Sequence, residues 1–344
     1  MRLFRRNRES GDGVAVADKP ASSRELLDAV AAMAADNRRE RSLDKERELL
    51  RLRHRAANAL IAETESEPPF PEPNFSLIPE GETLPEFTPE QLSPELIRAG
   101  MLRQGCVLVR GLFDRAAAER MAQEIDRAFA VRERALAGEG GDAAYYEPFD
   151  PPSDHEVNLG VRAWVREGGG LLAADAPKLA FDMFEMFDQA GILDIVGGYL
   201  GEHPLISIEK TTLRKAEPQV PGAWHQDGRF MGPVRALNMW VSLSRCGDIS
   251  PGLDIVPKRL EHYLATQTDE AVLDYQISQK MAEEAAGDLP ILRPIFEPGD
   301  VLFFDEMFLH QTGSDPSMPN PRYAIECWFF GGSKFPQEYG ALAV

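Results

Sequence analysis

His225, Gln226 and Asp227 form a His-x-Asp triplet, and His310 and then Arg322 follow far downstream. Side chains two apart on a strand share a face, so His225 and Asp227 would project together into the interior of a rolled sheet. Residues 297–310 read as a turn, a strand and a second short strand ending on His310, which makes a third ligand available. Two imidazoles and one carboxylate occupy one face of an octahedral ferrous ion and leave three positions open, enough for a bidentate keto acid and dioxygen. A structural zinc site would instead be closed by four ligands. Each histidine taken singly reads as a hydrogen-bonded core residue, and only their joint order carries the metal reading.

The segment between His310 and Arg322 is rich in turn formers, so the chain should reverse there and bring Arg322 back beside His310. A guanidinium facing the interior needs a partner, and its planar fork fits a carboxylate with two parallel hydrogen bonds. That partner is either a carboxylate-bearing co-substrate or an internal Asp or Glu. The same hairpin reasoning around Met231–Val234 places Trp240 opposite His225 in one cavity, with Trp224 on the other face as packing.

Many short strands must position these groups. From Pro204 onward the predicted runs are 205–213, 222–229, 237–243, 253–256, 292–296, 301–304 and 323–330, a pattern of sandwiches and barrels. An acidic helical insertion is predicted over 269–286. Upstream, Ser93-Pro94-Glu95 predicts a short helix stopping near Gly100, and Asp114 caps another reaching about Ala137. Further helices are predicted over 177–189 and 192–200. Residues 142–173 form a long irregular stretch in which His155, beside two tyrosines, reads as a surface residue first and as a substrate contact second.

Residues 1–66 read as an N-terminal extension, disordered to about residue 21 and then a helical hairpin with apolar residues at heptad spacing. Such a hairpin either joins two copies of the chain in a homodimer or docks on its own domain. Eight prolines between Pro68 and Pro94 make residues 67–94 an extended linker, leaving 95–344 as the main domain.

The net charge of −19 is uneven, because residues 1–60 hold 14 basic and 10 acidic side chains and residues 61–344 therefore carry −23. Such a body repels a phosphate backbone and an anionic bilayer, so neither nucleic acid nor membrane is an expected partner. No apolar run approaches a membrane-spanning length. Three scattered cysteines suggest a reducing, cytoplasmic setting with inert buried thiols.

Over roughly residues 95–335 the chain resembles the phytanoyl-CoA dioxygenase family. The resemblance rests on His225-Gln226-Asp227, the distal His310 and Arg322, and their order and spacing. It implies an α+β fold whose mainly β core is a double-stranded β-helix, or jelly roll, flanked by helices. It also implies an Fe(II) and 2-oxoglutarate dependent hydroxylase that uses O2 on a small organic molecule and releases succinate and CO2. His225, Asp227 and His310 would hold the metal, and Arg322, Trp240, Thr312 and Gln226 the 2-oxoglutarate. The presence of Asp227 favours hydroxylation over halogenation, for which relatives vacate that position. After Pro257 the chain departs from the family's Gly-Ser-His and reads Lys258-Arg259-Leu260, so substrate contacts do not transfer there. A jelly-roll scaffold without catalysis, and a cupin-like metal isomerase or hydrolase, are the competing readings.

Overall fold

The computed structural model describes residues 21–151, 159–336 and 338–344. His155 and residues 1–20, the bulk of the segment read as disordered, lie outside the described residues.

Ser22 caps α1 (Ser23–Arg39) through a reciprocal box with Glu25, and Ser42 caps α2 (Leu43–Glu63). The two helices form the predicted hairpin. Its apolar side, including Leu49, Leu50, Ala56 and Ala57, is buried against this same chain. Arg53 of α2 donates to the Ala343 carbonyl at 2.8 Å and lies over the Phe184 ring at 3.9 Å, while His54 Nδ1 meets the Ala341 carbonyl at 2.9 Å.

Eight further strand and helix segments precede the site-bearing region. In chain order they are β1 (Glu86–Phe87), α3 (Pro94–Arg103), β2 (Cys106–Val109), α4 (Arg115–Leu136), α5 (Leu159–Glu167), β3 (Gly170–Leu172), α6 (Pro177–Gln189) and α7 (Ile192–Leu200). Helix α3 runs one turn beyond the predicted stop at Gly100. That glycine is retained inside the helix because a side chain there would collide with Val107 of β2.

The remainder comprises β4 (Leu205–Ala216), α8 (Gly228–Met231), β5 (Ala236–Ser242), β6 (Gly252–Ile255), α9 (Gln279–Ala286), β7 (Val301–Phe304), β8 (His310–Gly313), β9 (Arg322–Phe330) and β10 (Ala341–Ala343). A large sheet runs β1-β2-β7-β5-β9-β4-β10, with β3 also on β4. A small sheet pairs β6 with β8 and is widened by single bridges at His225 on one side and Leu292 on the other. From β4 the chain therefore passes to the small sheet at His225, back at β5, out at β6 and Leu292, back at β7, out at β8 and back at β9. That winding is a double-stranded β-helix.

Period-two alternation divides the large sheet's side chains between two cores. Outward-facing Leu237, Met239, Val241, Val301, Phe303, Ile325 and Phe329 pack under α3, α4, α6 and α7. Inward-facing Trp240, Leu302, Phe304, Ala324, Trp328 and Phe330 face the small sheet. The site lies between the sheets.

Several further predicted elements differ from those observed: the stretch read as irregular over 142–173 contains α5 and β3, and the run 292–296 pairs only through single bridges at Leu292 and Phe296. The strand read over 222–229 stops at His225, and Asp227 begins the single turn of α8. β8 starts rather than ends on His310. The helical insertion is helical only from Gln279, where Ser278 supplies the cap, and the stretch before it contains left-handed residues Gln267 and Asp269 that no helix accepts. The cysteines are free and buried, and burial pushes the Cys246 thiol up to about 11. Among the described residues, no helix is long and apolar enough to cross a membrane.

Candidate metal centre

The chain around His225 lies directly on β8. Gly222 makes this possible, since a Cβ there would stand 2.0 Å from the Thr312 carbonyl oxygen. His225 bridges His310 main chain to main chain, and the two rings stand 4.4 Å apart, centre to centre.

Gln226, placed by the resemblance among the co-substrate residues, turns away from the cavity. Its Nε2 donates to the carbonyls of Met307 at 2.8 Å and His262 at 3.3 Å, and its Oε1 accepts from the Leu264 N–H at 2.8 Å. It is a fully buried strut that ties three chain segments together. Beyond it the backbone takes helical angles at Asp227 (φ −60°, ψ −28°), and the Gly228 N–H is fastened to the Glu306 carbonyl at 2.9 Å. Asp227 reaches the same cavity as His225 through this turn, not through strand parity.

His225, Asp227 and His310 offer ligand atoms that all lie within 4.8 Å of one another. Nε2 of His225 is 3.7 Å from one Asp227 oxygen, and Nε2 of His310 is 3.8 Å from the other. Nδ1 of His225 faces the Ala223 carbonyl at 2.7 Å, and Nδ1 of His310 faces the Phe308 carbonyl at 3.2 Å. A carbonyl only accepts, so each Nδ1 carries the hydrogen and each Nε2 presents its lone pair to the shared point. Burial, followed by the neighbouring His225, lowers the His310 pKa to about 4, keeping that imidazole neutral and ready to ligate.

Arg322 is completely buried at the start of β9. Its Nη1 donates to the Gly252 carbonyl at 2.8 Å, whereas Nε and Nη2 find no partner. Burial lowers its pKa, and no internal carboxylate forms an ion pair with it among the described residues. Trp240, under whose ring the guanidinium sits at 5.4 Å, also has an unpartnered Nε1. Orphaned buried donors are costly, and a carboxylate would satisfy the two Arg322 N–H groups at once. Thr312, two residues from His310 on β8, lines the cavity beside Trp240. The residues present thus fit a divalent transition metal with open positions and an adjoining carboxylate-bearing co-substrate.

The cavity measures about 590 Å³ and is lined by all three ligands together with Phe304, Trp328 and Leu253. It also contains groups not singled out from the sequence, namely Lys210 and Arg214 on β4, Glu326 on β9 and Tyr275. Burial pushes the Glu326 carboxyl up, but Arg214, Arg322 and the Thr212 hydroxyl outweigh it and hold the group ionised. Strand parity could have found Glu326, four residues from Arg322 and hence on the same face. Nothing local marked Lys210 or Tyr275.

Fold and site together define a double-stranded β-helix whose interior carries a His-x-Asp…His cluster able to hold a metal ion. No protein-family profile matches the chain, and no curated protein matches it. Among solved structures it is similar to EctD from S. alaskensis with bound Fe, at 18% identity over 68% of this chain and 75% of that one, with a TM-score of 0.48. A second EctD structure, with 2-oxoglutarate and 5-hydroxyectoine, gives 19%, 68%, 74% and 0.47 in the same order. The epimerase SnoN in complex with Fe3+, alpha ketoglutarate and nogalamycin RO gives 18%, 69%, 83% and 0.43. At these identities and scores, substrate and reaction rest on this chain's own residues.

Proposed function

We propose that this chain is an Fe(II) and 2-oxoglutarate dependent oxygenase that hydroxylates a small organic molecule. The observation that carries the reading is the pairing of a three-ligand metal face with a buried arginine holding two unpartnered N–H groups. His225, Asp227 and His310 would hold the iron, and Arg322, aided by Thr312 and Trp240, the far carboxylate of 2-oxoglutarate. When bound with dioxygen, that pair couples decarboxylation of the keto acid to succinate and CO2 with insertion of oxygen into a C–H bond.

The protein's own contribution is placement. The carbonyls of Ala223 and Phe308 hold both imidazoles in the ligating tautomer. The aromatic wall of Phe304 and Trp328 keeps bulk water from the interior side. Asp227 fills the third protein position, which favours hydroxylation over halide transfer. Three free thiols agree with a cytoplasmic setting.

Anaerobic addition of Fe(II) and 2-oxoglutarate should produce the weak visible charge-transfer band of a keto acid chelating ferrous ion. Admission of oxygen with a substrate should then release succinate, and product analysis separates hydroxylation from stereochemical inversion. A metal-loaded protein that shows no band and does not bind 2-oxoglutarate would favour the scaffold or cupin-like reading.

A further inference from the structure

Lys210 projects from β4 into the cavity that holds the triad. Its ammonium stands 4.3 Å from the centre of the Phe230 ring, 5.4 Å from that of Tyr339 and 5.5 Å from that of Trp164. Among the described residues it forms no ion pair. The carboxylates near it are engaged elsewhere. Glu209 accepts from the Gly340 N–H at 2.9 Å, Glu326 accepts from Thr212 at 3.1 Å with Arg214 beside it, and Asp227 belongs to the metal face. Aromatic faces lessen the cost of withdrawing an ammonium from water, yet they leave its hydrogen-bond donors unused.

The rings around Lys210 continue to His225 of the candidate metal face. Phe230 lies 6.1 Å from the His225 ring and 5.7 Å from Tyr275, and Tyr275 in turn meets His225 at 6.0 Å and Trp164 at 6.5 Å. A flat apolar body placed among Trp164, Phe230 and Tyr275 would therefore lie beside the ligands while an attached anion met Lys210. The keto acid is not that anion. Its candidate anchor Arg322 pairs in register with Ala216, six residues along β4 from Lys210, and six residues of strand extend for about 20 Å.

We infer that Lys210 and the rings of Trp164, Phe230 and Tyr275 form the primary-substrate subsite, which takes a monoanionic carboxylate with a flat apolar body. A single negative charge suits the site better than a phosphate dianion, because Glu209, Asp227 and Glu326 already place negative charge close by. The word substrate rests on the oxygenase reading, whereas the anion site stands without metal or keto acid.

The test uses the full-length, metal-free protein titrated by calorimetry with benzoate, phenylacetate and indole-3-acetate, and with the corresponding neutral amides. At least one acid should bind, its amide at least tenfold more weakly. Lys210→Met should remove that preference while amide binding is unchanged, and Lys210→Arg should restore part of it. In a separate arm, Lys210→Met loaded with Fe(II) and 2-oxoglutarate should keep whatever chelate band the parent shows. The inference is overturned if no acid binds at millimolar concentration, if acids and amides bind alike, or if Lys210→Met binds acids as the parent does. Loss of the chelate band in Lys210→Met alone would also overturn it, by making Lys210 a keto acid anchor. Absence of the band in the parent protein would count against the oxygenase reading without touching the anion site.

Discussion

The main chains of His225 and His310 hydrogen-bond to each other in both directions, His225 N–H to the His310 carbonyl at 3.0 Å and His310 N–H to the His225 carbonyl at 3.2 Å. They are thus a hydrogen-bonded antiparallel pair, and such opposed residues put their side chains on one face. Residues 85 positions apart in sequence are held in a fixed relation by the backbone itself. The metal face is preorganised before any ion arrives.

Removing the carboxylate from this face should be the most severe change to metal binding. Asp227→Ala is expected to weaken Fe(II) affinity by well over tenfold, since loss even of a group that merely supports a ligand costs about 10–100-fold. Anaerobic calorimetry with ferrous ion measures this, and circular dichroism checks that the fold persists. Parent-like affinity in the variant would remove Asp227 from the ligand set.

Arg322→Ala should weaken 2-oxoglutarate binding by roughly 2–5 kcal/mol, the cost of deleting one member of a buried charged pair. Titration of the charge-transfer band at saturating Fe(II) reads the change. An unaltered keto acid affinity would assign the carboxylate to another group, and Arg214 is then the next cation in the cavity.

Gln226→Ala should act on stability and not on the co-substrate. The variant loses three hydrogen bonds and leaves the buried Met307 carbonyl, the His262 carbonyl and the Leu264 N–H without these partners, worth about 1–3 kcal/mol. A lower urea midpoint with the same 2-oxoglutarate affinity is the expected pair of results. A selective fall in that affinity would restore Gln226 to the binding site.

His310 makes the metal-free protein sensitive to acid. Its folded pKa of about 4 lies below the ordinary 6.5, so the unfolded chain takes up a proton more readily than the folded one. The associated stability is fully present above pH 6.5 and is lost as pH falls from there toward 4, on the order of 3 kcal/mol in total. Melting curves for the metal-free parent and for His310→Gln should diverge across that window. Parallel curves would mean that His310 is protonated as easily in the fold as out of it.

Much of the scaffold is legible in the chain. The alternation in Leu237–Leu243 and the apolar run Val301–Phe304 were sufficient for β5 and β7, and Ser93 and Asp114 cap the helices they announce. Motif order was enough to bring His225, Asp227 and His310 together. The path of Asp227 was not legible, because whether the chain stays extended after Gln226 is decided by contacts with Glu306, Met307 and the 262–264 loop, distant in sequence. The place of Lys210 is not legible for a related reason. A lysine in an alternating strand reads as solvent-facing until the second sheet is known to cover it.

The cavity draws its walls from two kinds of structure. Its floor is cut from β4, β5, β7 and β9, braced from behind by four helices, whereas Trp164 and Tyr275 come from α5 and from the non-helical stretch before α9. Replacing Trp164 or Tyr275 need not disturb β8 and the turn of α8, which position His310 and Asp227. On the oxygenase reading, selectivity for a substrate can therefore change through exchanges at Trp164 and Tyr275 while the His225, Asp227 and His310 cluster is left as it is.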